Sequence, residues 1–234
     1  MSIFAKAQNS WVGKFIKAIF KVEIIHPENE PRGQDFGGFI VCVNHSSNWD
    51  PIIIGACMHR PLRYMAKAEL FKIPGLKTLI TWFGAYPVNR ERADISSIKT
   101  TISILEQGEV VGMYMQGGRK RGVHPKDITP KNGAAMIAVK ARTGVLPVSV
   151  IAKKHKVQMF RRTIIVFGKY MTYDELTGSP DNPDMRERQE PEQGVGGGAN
   201  PRIKENMDLY KKATEKIYSE IVSNYDKYDT FNKK

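Results

Sequence analysis

The stretch Asn44-His45-Ser46-Ser47-Asn48-Trp49-Asp50 holds residue types suited to proton transfer: an imidazole and, five positions on, a carboxylate. In one straight helix, residues five apart point roughly 140° away from each other and cannot meet. Here the setting differs. His45 follows the β-rich apolar run Gly37 to Val43, which reads as a buried strand. Asp50-Pro51 reads as a helix start, with aspartate as N-cap and proline preformed for the first helical position. A strand–loop–helix turn lets the two side chains meet, and a residue before proline avoids the helical region, which suits a side chain facing backwards. A carboxylate on one ring nitrogen fixes the tautomer and frees the other as a base, able to deprotonate a hydroxyl that attacks a carbonyl. Ser46 and Ser47 are poor nucleophile candidates: sequence neighbours of a base rarely aim at it, and no GxSxG elbow occurs. On spacing alone a second reading stays open, in which His45 is an ordinary loop histidine and Asp50 only caps a helix.

A second cluster, Gln116-Gly117-Gly118-Arg119-Lys120-Arg121, follows the apolar run Val110 to Met115. Two glycines let backbone N–H groups turn inward, and arginine adds a bidentate fork, so this loop suits an anion. The elements that must position both clusters read as alternating strands and helices. Helices are expected from Ile95 to Leu105, ended by Gly108, and from Ala134 to Lys140, closed by Thr143-Gly144. A strand is expected from Val145 to Ile151, and a hairpin joining Val157–Phe160 to Thr163–Phe167 across Arg161-Arg162. The alternation predicts an α/β fold, with a β-sheet flanked by helices.

The chain has 234 residues, 41% of them hydrophobic and 26% charged, enough apolar material for one large domain and too much for a disordered chain. The formal charge of +12 directs it to anionic partners: lipid headgroups, phosphorylated substrates or nucleic acid. Arg60, Arg63, Lys67, Lys72, Lys153, Lys154 and Lys156 are further basic candidates, most of them expected to be solvated. Cys42 and Cys57 lie in apolar runs, as buried reduced thiols do, and no histidine or cysteine spacing suggests a metal site. No run approaches the ~18–20 apolar residues that span a bilayer, and no secretory signal is evident. From Ser10 to Lys21, however, Trp11, Val12, Phe15, Ile16, Ile19 and Phe20 fall at helical spacing beside Lys14, Lys17 and Lys21. Such a helix suits a membrane interface, or equally the chain's own core. The expected divisions are an interfacial helix (1–25), an α/β domain (26–175), a flexible insertion (176–202) and a C-terminal helix and tail (203–234).

NHSSNWD matches the NH-x4-D signature of glycerolipid acyltransferases, and the chain resembles the bacterial 1-acyl-glycerol-3-phosphate (lysophosphatidate) acyltransferase family. Phe83 to Arg90 is similar to the second block of that family, whose terminal arginine contacts the acceptor phosphate. Gly112 to Arg119 stands where the family has FPEGTRS, with Gln116 in place of glutamate, Met115 of proline, Gly118 of threonine and Lys120 of serine. Lys131 to Ile151 resembles the fourth block and its proline-bearing strand. The resemblance implies a mixed sheet flanked by helices with membrane-contacting N-terminal elements. It further implies transfer of a fatty acyl group from acyl-CoA or acyl carrier protein to lysophosphatidate, giving phosphatidate. The roles implied are His45 and Asp50 as the catalytic pair, with Arg90, Gln116, Gly117, Gly118 and Arg119 binding the acceptor phosphate. No cofactor or metal is expected, and the implied location is peripheral or monotopic on the cytoplasmic face of the cell membrane. Two rival readings are another lysolipid or amino-lipid acceptor for the same chemistry, and a non-catalytic basic protein on a membrane or nucleic acid.

Overall fold

A computed structural model of the chain describes residues 11–33, 36–88, 95–178 and 201–232. Seven strands form one sheet: β1 (Val22–Ile25), β2 (Phe39–Val43), β3 (Leu62–Lys67), β4 (Ala85–Val88), β5 (Val110–Tyr114), β6 (Val145–Ala152) and β7 (Thr163–Phe167). Their order is β1-β7-β6-β2-β5-β3-β4, parallel at every pairing except β6 with β7. The expected mixed sheet flanked by helices is therefore present.

All five residues of β2 are fully buried, because the strand sits mid-sheet and both faces are covered. Phe39, Val41 and Val43 face one layer, packed with Ile16, Phe20, Ile53 and Ile54 from the segments of α1 (Trp11–Ile19) and α2 (Asp50–Cys57). Ile40 and Cys42 face the other. That layer is built by α4 (Ile95–Glu106), α5 (Gly133–Lys140) and α7 (Pro201–Tyr228), through Ile104, Leu105, Ala134, Ala138, Ala213, Ile217 and Ile221. The short helices α3 (Leu76–Trp82) and α6 (Tyr173–Thr177) complete the described α-helices. Both cysteines are free and buried; burial pushes the Cys57 thiol up to about 12 and Cys42 higher still, so neither is a reactive thiolate.

Two expectations need correction. The predicted hairpin pairs different segments: β7 lies against β6, and residues 157–160 belong to the connection, not to a strand. The N-terminal helix expected over 1–25 ends at Ile19, and residues 22–25 form an edge strand of the sheet rather than part of that helix. β3 and β4 carry no clear alternation in sequence, yet both pair; Pro87 is tolerated because β4 is an edge strand. Most of the expected insertion, residues 179–200, lies outside the described residues, as does Arg90.

Candidate active site

β2 and β5 run parallel with Val43 opposite Tyr114, so the chains leaving them emerge side by side at the C-terminal edge of the sheet. Ligands of open α/β sheets bind at that edge. The divergence begins at Asn44. Its side chain takes the place of a backbone rung: Nδ2 donates to Val150 O (2.9 Å) and Oδ1 accepts from Val150 N (2.7 Å). The main chain is thereby released from β6, and the next residue, His45, turns out over the sheet edge.

His45 Nδ1 lies 2.8 Å from Asp50 Oδ2. A carboxylate can only accept, so Nδ1 carries a proton, and Nε2 has no protein partner among the described residues. Asp50 is completely buried, at the start of α2. It does not act as the expected N-cap: Trp49 occupies that position, and the carboxylate turns backwards. Oδ2 also accepts from Ser46 N (2.7 Å) and Ser47 N (2.8 Å), so one oxygen holds the loop and orients the imidazole. The positive end of α2 favours the charge there. Ser46 Oγ is buried without a partner among the described residues, and Ser47 Oγ accepts from Trp49 N (3.3 Å), so neither serine is hydrogen-bonded to the imidazole as a nucleophile would be.

The ring of His45 stacks on Tyr114, centroids 3.8 Å apart and planes 20° from parallel. An electron-rich ring face supports an imidazolium and restricts its rotation. Tyr114 is the last residue of β5, and burial pushes its phenol well above the ordinary value, so it stays neutral. Its hydroxyl has no partner among the described residues.

The loop after β5 clamps the histidine backbone from both sides. Gln116 Oε1 accepts from His45 N (2.9 Å), and Lys120 N donates to His45 O (2.8 Å). Gln116 was expected at the acceptor phosphate, and the structure corrects this. The side chain is buried, and its other end donates to Tyr218 Oη (3.1 Å), so it supports the base from behind. Gly117 is also committed, its N–H bonding Tyr114 O (3.3 Å) in a turn whose φ of +66° favours glycine. Gly118 is open: a Cβ there would meet nothing within 4 Å. Arg119 and Arg121 are exposed and line a shallow pocket of about 90 Å³ with Ser46, Ser47, Asn48 and Trp49. Ligand pockets for larger molecules run to ~300 Å³ or more, so this one suits a small anionic group rather than an acyl chain.

Two of the other basic candidates fall elsewhere. Arg60 donates to the carbonyls of Gly37 and Gly108, and Arg63 faces Glu109 (3.5 Å). Those partners precede β2 and β5, at the sheet edge opposite His45, so neither arginine serves this site. Among the described residues no group of three or more His, Cys, Asp or Glu side chains is placed to hold a metal ion. Sequence reasoning missed the Asn44 rung and Tyr218. The first lay inside a motif already quoted; Tyr218 is 102 residues from its partner and gave no signal.

A family profile described as Acyltransferase matches residues 21–151, more than half of the chain. The 1-acyl-sn-glycerol-3-phosphate acyltransferase of Bacillus subtilis is 31% identical over 142 residues, 60% of this chain and 68% of the relative. That of Streptococcus pneumoniae is 33% identical over 113 residues, 47% of this chain and only 40% of the relative's length. The crystal structure of the 1-acyl-sn-glycerophosphate acyltransferase PlsC from Thermotoga maritima shares the fold, with a TM-score of 0.56 over 93% of this chain and 83% of that one, at 22% identity. With its NH-x4-D segment inside the matched region and folded into a buried-carboxylate dyad at the sheet edge, the chain belongs to the acyltransferase family.

Proposed function

We propose that the protein transfers a fatty acyl group from a thioester to the free hydroxyl of lysophosphatidate, giving phosphatidate. The observation that carries this reading is the His45–Asp50 pair at the sheet edge, Nδ1 bound to the buried carboxylate and Nε2 without a protein partner among the described residues. His45 Nε2 takes the hydroxyl proton as the oxygen attacks the thioester carbonyl. Asp50 and the Tyr114 ring stabilise the imidazolium that forms. When the tetrahedral intermediate collapses, the carbon–sulfur bond breaks and the imidazolium returns its proton to the thiolate. Arg119, Arg121 and the Gly118 amide are the groups for the acceptor phosphate, with Arg90 as a further candidate outside the described residues. Coenzyme A or acyl carrier protein would carry the donor chain, and the reaction needs no cofactor.

The enzyme would work from the surface of a membrane, on the face where thioesters are made. No helix among the described residues is long and apolar enough to cross one. α1 buries Ile16 but leaves Trp11 78% and Phe15 58% exposed beside Lys14, an apolar edge with a cationic flank. α1 packs on α2, and Phe20 just beyond it meets Trp49 of the pocket (centroids 5.5 Å), so the helix adjoins the catalytic loop. A non-catalytic basic protein would not need an imidazole held on a fully buried carboxylate.

The test offers one labelled acyl-CoA, or the matching acyl carrier protein, with lysophosphatidate and a set of other lysolipids. Phosphatidate is the expected product, and His45→Ala is expected to lower turnover by about 10²–10⁴-fold while leaving vesicle binding intact. Comparable turnover in His45→Ala would overturn the assigned base, and exclusive use of another acceptor would overturn the substrate.

A further inference from the structure

We infer that Tyr218, on the C-terminal helix α7, is a positioning residue for His45 and acts through Gln116. The inference rests on the catalytic reading of His45 given above. Three hydrogen bonds form a directional chain. Tyr218 Oη donates to Pro125 O (2.9 Å), Gln116 Nε2 donates to Tyr218 Oη (3.1 Å), and His45 N donates to Gln116 Oε1 (2.9 Å). Tyr218 and Gln116 are 5% and 4% exposed, so water does not replace these bonds readily.

The direction of each bond follows from the one before. A proline carbonyl can only accept, so the Tyr218 proton points at Pro125 and the phenol oxygen turns a lone pair to Gln116. Only the amide NH2 can meet that lone pair, which leaves Oε1 facing the backbone N–H of His45. The tyrosine therefore fixes the amide orientation, and the amide fixes one of the two backbone anchors of the base; Lys120 N is the other. α7 is thus coupled to the catalytic loop, although it contributes no side chain to the pocket. Packing of Ala213, Ile217 and Ile221 in the second core layer holds that helix, and with it the hydroxyl, in place.

The experiment compares kcat and the acceptor KM of the full-length wild type with Tyr218→Phe, Gln116→Met and the double variant. Misplacement of a catalytic group by a fraction of an ångström lowers rate more than binding, so each single variant should lose about tenfold in kcat with acceptor KM within twofold. Since the two residues act in series, the double variant should lose no more than Gln116→Met alone. Tyr225→Phe, on the same helix and bonded to His155 (2.8 Å), should leave kcat unchanged and controls for loosening of α7. Gln116→Glu keeps an acceptor for His45 N–H and should recover most of the kcat that Gln116→Met loses. An unchanged kcat in Tyr218→Phe, or multiplicative losses in the double variant, would overturn the inference. If Tyr218→Phe does not fold, Gln116→Met and Gln116→Glu decide it. A raised acceptor KM with kcat preserved would mean that residue 116 touches substrate instead. A wild type that transfers no acyl group at all would count against the proposed function.

Discussion

Asp50→Asn separates charge from shape at the base. Three donors converge on Oδ2 of Asp50, so the amide oxygen of an asparagine takes that place and its NH2 falls where Oδ1 finds no partner. The tautomer of His45 is kept; the full negative charge is not. For the fold, three charge-assisted bonds become neutral ones at about 1 kcal/mol each, roughly 3 kcal/mol in total. Removing a buried charge returns several kcal/mol of desolvation, so net stability should change by less than about 2 kcal/mol. For the reaction, a unit charge 2.8 Å from the imidazolium is worth about 6 kcal/mol at an effective dielectric of about 20. The amide dipole keeps part of this, leaving a loss of about 4 kcal/mol, or about 10³-fold in kcat. Steady-state rates at saturating donor and acceptor, with a parallel thermal melt, check both halves. A variant that melts like the wild type and retains kcat within tenfold would refute the electrostatic role of Asp50.

Three further outcomes are expected. Tyr114→Phe removes a buried hydroxyl that has no partner and keeps the ring on His45, so denaturant unfolding should show unchanged stability or a gain of about 1 kcal/mol, with kcat within a few-fold; a loss above about 2 kcal/mol would reveal a partner for that hydroxyl. Burial, with His124 alongside, holds the His155 imidazole below its ordinary value, so as pH falls the unfolded chain binds a proton before the folded one does. Stability is therefore full above about pH 6.5 and declines below it, and His155→Gln should flatten that part of a urea-unfolding pH series. Trp11→Ser and Phe15→Ser remove exposed apolar groups of about 1.5–3 kcal/mol burial value each, so each should weaken partition onto anionic vesicles about tenfold or more while kcat on detergent-dispersed acceptor is kept; unchanged partition would remove α1 from the membrane surface.

The strands and helices that surround the site were largely legible because their neighbours are local. β2 and β6 are continuous apolar runs since both faces of a central strand are covered, and α4 and α5 end at glycine or near it. β3 and β4 escaped notice because strands toward an edge keep partly exposed positions, and LRYMAK shows no clean alternation. The hairpin went to the wrong partner because a turn was sought between two short runs, whereas β7 pairs with a strand more than ten residues upstream.

The sequence alone determined which groups are at hand: an imidazole, a carboxylate five residues later and a basic glycine loop after the next sheet neighbour, each placed by local spacing. What only the tertiary structure decided is which side of those groups does the work. Register between β2 and β5 turned Gln116 inward to the histidine backbone, and parallel strand direction sent Arg60 and Arg63 to the opposite edge of the sheet. Tyr218 came to the base from 102 residues away from Gln116. Hydrogen bonds are directional and act over about 3 Å, so their partners are fixed by packing between layers, which a linear pattern does not record.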